Sequence, residues 1–168
     1  AMKNGAMLER AAKSQVFDRY DIPVLCGHEL FYELNFIQRG SSTLLNAKLI
    51  PIIQQFLESI KNALADRNIN APIAIVRSDS TKMSEQYSRM KQVETILSGP
   101  ASSVNGGISI TNEQNCLIID MGGTTTDISI VKNGILLNAD SGVKIGSWKT
   151  FVHGVYIDTF GLGGDSAI

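Results

Sequence analysis

The chain has 168 residues, 43% of them hydrophobic and 18% charged, enough apolar material for one domain or one large subdomain with a real core. A formal net charge of -1, with the Lys and Arg residues scattered along the chain, argues against nucleic acid as a partner, and no apolar run approaches the ~20 residues that span a bilayer. Cys26 and Cys116 stand far apart, without a CxxC pair or a His-rich segment, which argues against a disulfide framework or a structural zinc site and for two reduced thiols in the cytoplasm.

Ala1-Met2 reads as a remnant ahead of an internal start. From Ala6 to Tyr20, Met7-Leu8, Ala11-Ala12, Gln15-Val16 and Tyr20 recur at helical spacing; Asp21-Ile22-Pro23 breaks the pattern before the apolar pair Val24-Leu25, which predicts helix, turn, strand. Ser41-Ser42-Thr43 offers N-caps for a long amphipathic helix with Leu45, Leu49, Ile53, Phe56, Ile60 and Leu64 on one face, kinked or started late at Pro51. After the turn residues Asn68-Ile69-Asn70, the β-branched run Pro72 to Val76 predicts a buried strand, and the polar stretch Arg77 to Met83 a loop. Ser84 is placed as the cap of a short helix reaching Lys91.

Val93 to Leu97 leads into Ser98-Gly99-Pro100-Ala101, a helix start with proline in the first turn. From Cys116 onward the texture changes to short apolar runs: Cys116 to Ile119, Asp127 to Val131 and Ile135 to Leu137. Asn133-Gly134 joins the last two as a hairpin turn, because both residues tolerate positive φ, and the C-terminal third is expected to be an antiparallel meander. The soft boundary near Met83 to Val93 divides a helix-rich α/β part, residues 1–92, from a β-rich part, residues 93–168. Ile168 follows directly on a glycine-rich turn, so the chain reads as an incomplete fragment.

Chemistry concentrates in Ile119-Asp120-Met121-Gly122-Gly123-Thr124-Thr125-Thr126-Asp127, a strand ending in a carboxylate, two glycines, three hydroxyls and a second carboxylate. Glycines bring backbone N–H groups close to an anion, and the hydroxyls of Thr124, Thr125 and Thr126 add donors for phosphate oxygens. A carboxylate beside phosphate is repelled unless a hard cation such as Mg²⁺ lies between them, which is the role read for Asp120, while Asp127 holds the hairpin or a water. The alternative is an ordinary Gly-Gly hairpin whose Asp and Thr side chains satisfy turn amides. No Gly-Lys-Ser/Thr follows, so this is not a Walker loop, and the next element reads as a strand, so it is not a dinucleotide fingerprint.

With its neighbours, this hairpin resembles the hydantoinase/oxoprolinase A-type family within the actin, heat-shock-chaperone and sugar-kinase superfamily. The resemblance rests on Val93-Glu94-Thr95-Ile96-Leu97-Ser98-Gly99-Pro100-Ala101 upstream, on the hairpin itself, and on the glycine-rich turn Thr159-Phe160-Gly161-Leu162-Gly163-Gly164-Asp165-Ser166. It extends more loosely to Leu45-Asn46-Ala47 and the Ala71 to Val76 strand. Two departures stand out: Leu162 and Asp165 replace a small residue and a third glycine, and Arg77-Ser78-Asp79-Ser80 replaces an Asn-Gly-Gly turn.

The resemblance implies a ribonuclease-H-like (actin-like ATPase) α/β domain, a mixed sheet with flanking helices. It implies ATP and Mg²⁺ as cofactors, with Asp120 and Asp127 catalytic, Asp120 at the metal, and Gly122, Gly123, Thr124, Thr125, Thr126, Gly161, Gly163, Gly164 and Ser166 at the nucleotide. Asp120 to Asp127 would be the second phosphate hairpin; the first is missing from these residues, so the fragment alone is expected to be inactive. The implied activity of the complete protein is ATP-dependent opening of a cyclic amide such as a hydantoin or 5-oxoproline. A second, B-type subunit and self-association are compatible partners. A small-molecule kinase and a non-enzymatic nucleotide switch remain open alternatives. His28, in Cys26-Gly27-His28-Glu29, resembles a Ser-His-Glu segment of the family and reads as structural or as a substrate or metal neighbour. Trp148 and His153 read as packing residues of a β-like stretch, and Ser98-Gly99-Pro100-Ala101 as a plain cap or a phosphate-facing helix N-terminus.

Overall fold

A computed structural model describes residues 5–139 and 141–166; Ala1-Met2 lies outside the described residues. Helix α1, Met7–Tyr20, forms where the spacing predicts it and ends at Asp21, whose left-handed φ of 50° turns the chain. Val24-Leu25 is coil rather than strand, since no described strand pairs with it. The short helix α2, Gly27–Leu30, follows.

Helix α3 spans Phe36–Ala65 and starts earlier than its sequence suggests. Asn35 is extended, and its side chain accepts the Gln38 N–H at 3.1 Å. Asparagine caps as well as serine, and Asn35 comes first. Ser41, Ser42 and Thr43 are therefore interior residues whose hydroxyls donate to the carbonyls of Ile37, Gln38 and Arg39 one turn back. Pro51 sits inside the helix, where it cannot donate to the ladder. The buried stripe runs through Ser42, Asn46 and Leu57, so Phe56, placed on the inner face by spacing, is 53% exposed while Leu57 is fully covered.

Asn46 is the polar hub of that stripe. It is fully buried; its amide donates to Gln92 Oε1 at 3.0 Å and to the Met90 carbonyl at 3.3 Å, and its Oδ1 accepts the Val93 N–H at 2.9 Å. Asn46→Leu keeps the volume but strands buried donors and acceptors, each costing about 1–3 kcal/mol. We expect a stability loss of about 3 kcal/mol, read as a lower urea midpoint at unchanged slope; a shift of the midpoint too small to detect would contradict this role.

Strand β1, Ala74–Val76, pairs antiparallel with β2, Lys82–Ser84. The Arg77 to Met83 stretch expected to be a loop thus contains the start of a strand, too short for its alternation to stand out in the sequence. The turn between them closes without glycine: Asp79 Oδ1 accepts the Thr81 N–H at 3.0 Å and its hydroxyl at 2.6 Å, and Ser80 takes a φ of 66°. Helix α4, Glu85–Ser88, and a 3-10 turn, Gln92–Thr95, lead to α5, Ser98–Thr111, which begins at the predicted Ser-Gly-Pro-Ala segment after a left-handed Leu97.

The central sheet follows the predicted apolar runs. Strands β3, Cys116–Met121, and β4, Thr126–Lys132, pair from Cys116↔Val131 to Met121↔Thr126, and β5, Ile135–Leu136, adds to β4 through Asn133 and Gly134, both at positive φ. The expected meander then departs from its pattern. Strands β6, Lys144–Ile145, and β7, Trp148–Lys149, form a separate hairpin, and β8, Asp158–Phe160, returns to pair with the beginning of β4.

The elements assemble into two compact units whose segments alternate along the chain, unlike a single cut between residues 92 and 93. One unit takes residues 1–72, 85–93 and 144–152 and buries Leu30, Phe31, Leu57, Val93 and Val152. The other takes residues 73–84, 94–143 and 153–168 and buries Met83, Ala101, Val104, Val131 and Val155, with α5 packed on β3 and β1. Trp148, 42% exposed, and His153, also exposed, are not core residues as expected; Thr150 and Val152 between them take the buried positions. No helix among the described residues is long and apolar enough to cross a membrane.

Candidate functional site

Strands β3 and β4 bring Asp120 and Asp127 to directly opposed positions, on the same face of the sheet. Like charges at such a pair repel, so the ladder favours a group that relieves them. Asp127 has a partner: the Thr159 hydroxyl, delivered by β8, donates to its Oδ1 at 2.6 Å. The Asp120 carboxylate is half-buried, and no described residue donates a hydrogen bond to it.

The loop between the strands is four residues, Gly122 to Thr125, closed by the Gly122 N–H donating to the Thr125 carbonyl at 2.9 Å. Among the described residues, the hydroxyls of Thr124 and Thr125 take no hydrogen-bond partner. Thr126 is different: it is buried, and its hydroxyl donates to the Leu162 carbonyl at 2.6 Å.

The glycine-rich turn lies against this loop. The N–H groups of Gly164 and Asp165 donate to the carbonyls of Gly122 and Gly123 at 2.9 and 2.8 Å. At Gly163 the two backbones approach so closely that an added Cβ would stand 2.4 Å from the Gly123 carbonyl oxygen and 2.5 Å from the Thr124 nitrogen. The Gly163 N–H donates to Ser166 Oγ at 3.0 Å, and the Ser166 N–H returns to the Gly163 carbonyl at 3.0 Å. The amides of Gly163, Gly164 and Ser166 are thus engaged within the chain, and the turn braces the hairpin instead of presenting a second row of free donors. The Asp165 carboxylate covers Gly123, with Oδ2 2.6 Å from where a Cβ would be.

Of the predicted site residues, the structure therefore gathers Asp120 to Asp127 and Gly161 to Ser166 in one place. Thr159 and the bracing contact at Gly163 were not singled out, because strand β8 is only three residues long and reaches the hairpin from more than thirty positions away. The α5 N-terminus makes no hydrogen bond to the hairpin among the described residues. His28 lies in the other unit, where its Nδ1 is 2.9 Å from Glu9 Oε2.

The hydantoinase/oxoprolinase family profile matches residues 39–168. Among similar proteins, the caprolactamase subunit alpha of Pseudomonas jessenii is 29% identical over 149 residues, which is 87% of this chain and 21% of that protein. The 5-oxoprolinase of Saccharomyces cerevisiae is 29% identical over 143 residues, 80% of this chain and 10% of that one. A nucleotide-free structure of acetone carboxylase, from work on ATP-dependent acetone carboxylation, superposes with a TM-score of 0.81 at 22% identity, covering 96% of this chain and 23% of its own. The chain spans 21% or less of the length of these two curated relatives.

Proposed function

Since the chain belongs to the hydantoinase/oxoprolinase family and has the α/β fold of the actin-like ATPases, we propose that it is the part of an ATP-dependent cyclic-amide hydrolase that holds the nucleotide's phosphates. The observation that carries this reading is the braced Gly122 to Thr125 loop, with two threonine hydroxyls and the Asp120 carboxylate beside them taking no hydrogen-bond partner among the described residues. Such a donor set suits phosphate oxygens, and the opposed carboxylates suit a hard divalent cation.

In this reading Gly122, Gly123, Thr124 and Thr125 contact phosphate, and Asp120 places Mg²⁺. Thr126 braces the loop through Leu162, and Asp127, fixed by Thr159, keeps the hairpin in register and orients a water. ATP would supply the phosphoryl group that makes a ring amide attackable by water. Loop and turn work by fixing position before reaction, which together with electrostatic stabilisation makes up nearly all of the catalysis in phosphoryl transfer. A hydantoin or 5-oxoproline type of substrate, and a second subunit beside this one, fit the names of the relatives.

The test is phosphate release from ATP by the full-length protein across a panel of lactams, hydantoins and 5-oxoproline. We expect at least one cyclic amide to stimulate release and to appear ring-opened in stoichiometric amount. Phosphate transferred intact to an added hydroxyl compound, or ATP bound with no turnover of any amide, would contradict the hydrolase.

A further inference from the structure

The described residues bring a second, chemically different group of side chains together far from the hairpin in sequence. Glu9 of α1 meets Cys26 and His28 at the start of α2, and a carboxylate oxygen, the thiol sulfur and a ring nitrogen all lie within 4.8 Å of one another. Cys26 is 5% exposed, and the His28 and Glu9 side chains 11% and 22%. We propose that Glu9, Cys26 and His28 form a site for one divalent transition-metal ion of the zinc type, and this stands independently of the phosphate hairpin.

The donor set is one that zinc accepts: thiolate, imidazole and carboxylate at about 2.0–2.3 Å, which puts neighbouring ligand atoms roughly 3.3–3.8 Å apart in a tetrahedron. The observed separations close to that with small side-chain rotations, and His28 Nδ1 and Glu9 Oε2 already stand 2.9 Å apart. The outer groups are also in place. Arg39 holds one carboxylate oxygen of Glu9 at 2.7 Å; the other, Oε2, accepts the His28 backbone N–H at 3.0 Å and keeps a second lone pair for an ion, and the backbone N–H of Cys26 donates to Glu29 at 3.2 Å. Lys13 in turn pairs with Glu29 at 2.7 Å.

Charge balances as well. A thiolate and a carboxylate neutralise the dication; the thiol proton goes to solvent, and the imidazole keeps its proton on Nε2, so the ion replaces the 2.9 Å hydrogen bond between His28 Nδ1 and Glu9 Oε2, the 3.5 Å bond from the Cys26 thiol to the Glu9 carbonyl and the long 3.5 Å contact from Arg10. Three protein ligands leave a fourth position open, as in metal sites that carry water or a small ligand. Glu9, Gly27 and Arg39 also line a largely apolar cavity of about 620 Å³, with room for such a ligand.

Cobalt(II) titrated into the 168-residue chain tests this, because a thiolate bound to cobalt gives a near-ultraviolet charge-transfer band. The band should saturate at one equivalent, be bleached by zinc, vanish in Cys26→Ser and persist in Cys116→Ser. Glu9→Gln and His28→Gln should each weaken cobalt binding at least about tenfold while circular dichroism stays that of the parent. Should Cys26→Ser fail to fold, the His28→Gln affinity decides. No band from the folded parent at one equivalent, a band that follows Cys116, or unchanged affinity in His28→Gln would overturn the site.

Discussion

Gly163→Ala is expected to destabilise the chain by about 3 kcal/mol and to abolish ATP binding by the full-length protein, whereas Gly161→Ala leaves stability unchanged within about 0.5 kcal/mol. The difference lies in what a methyl group meets. At Gly163 it would stand 2.4–2.5 Å from backbone atoms of Gly123 and Thr124, which cannot move without opening the loop that they close; at Gly161 it meets nothing within 4 Å. Gly123→Ala falls between them, because the atom in its way, Oδ2 of Asp165, is the end of a side chain that can rotate aside. Urea denaturation of the three variants checks the order. Equal effects at Gly161 and Gly163 would mean that the turn does not brace the hairpin.

That contact also shows where sequence reading reaches its limit. The β3 and β4 strands and the Asn133-Gly134 turn were legible because apolar runs alternate with turn residues that demand positive φ. The long helix was legible by period, but not its start, since three adjacent hydroxyl residues outshone a single asparagine upstream, nor its exact inner face, where Leu57 and not Phe56 is buried. Short strands such as β2 and β8 carry too few residues for a period of two to show.

Within the site, the residue types that cradle an anion were visible as a local string, Asp120 to Asp127. The division of labour among them was not. Thr126 looks like its neighbours Thr124 and Thr125, and only its hydrogen bond to the Leu162 carbonyl makes it a brace. Gly163 and Gly164 look like further phosphate donors until their packing against Gly122 and Gly123 is known. Of the Glu9, Cys26 and His28 cluster only His28 showed, as a residue that could neighbour a metal: Cys26 lacks a second cysteine nearby, and Glu9 arrives from a helix whose sequence shows nothing but its period.

The second large effect concerns Asp120. It stands directly across from Asp127, and no donor among the described residues satisfies it, so its charge calls for a cation. Asp120→Asn keeps the shape and removes that charge. The loop and its brace should persist, since no hydrogen bond of the fold runs through this carboxylate among the described residues. The loss should therefore fall on turnover and not on folding, and by comparison with other preorganised electrostatic groups it should reach about a hundredfold or more.

The measurement to make is magnesium-dependent phosphate release by the full-length protein, wild type against Asp120→Asn, at saturating ATP and with thermal unfolding recorded for both. The account predicts a drop of about a hundredfold or more with no fall in melting temperature. Phosphate release that survives the substitution intact, in a variant that folds like its parent, would contradict the assignment of this hairpin to the nucleotide and its cation.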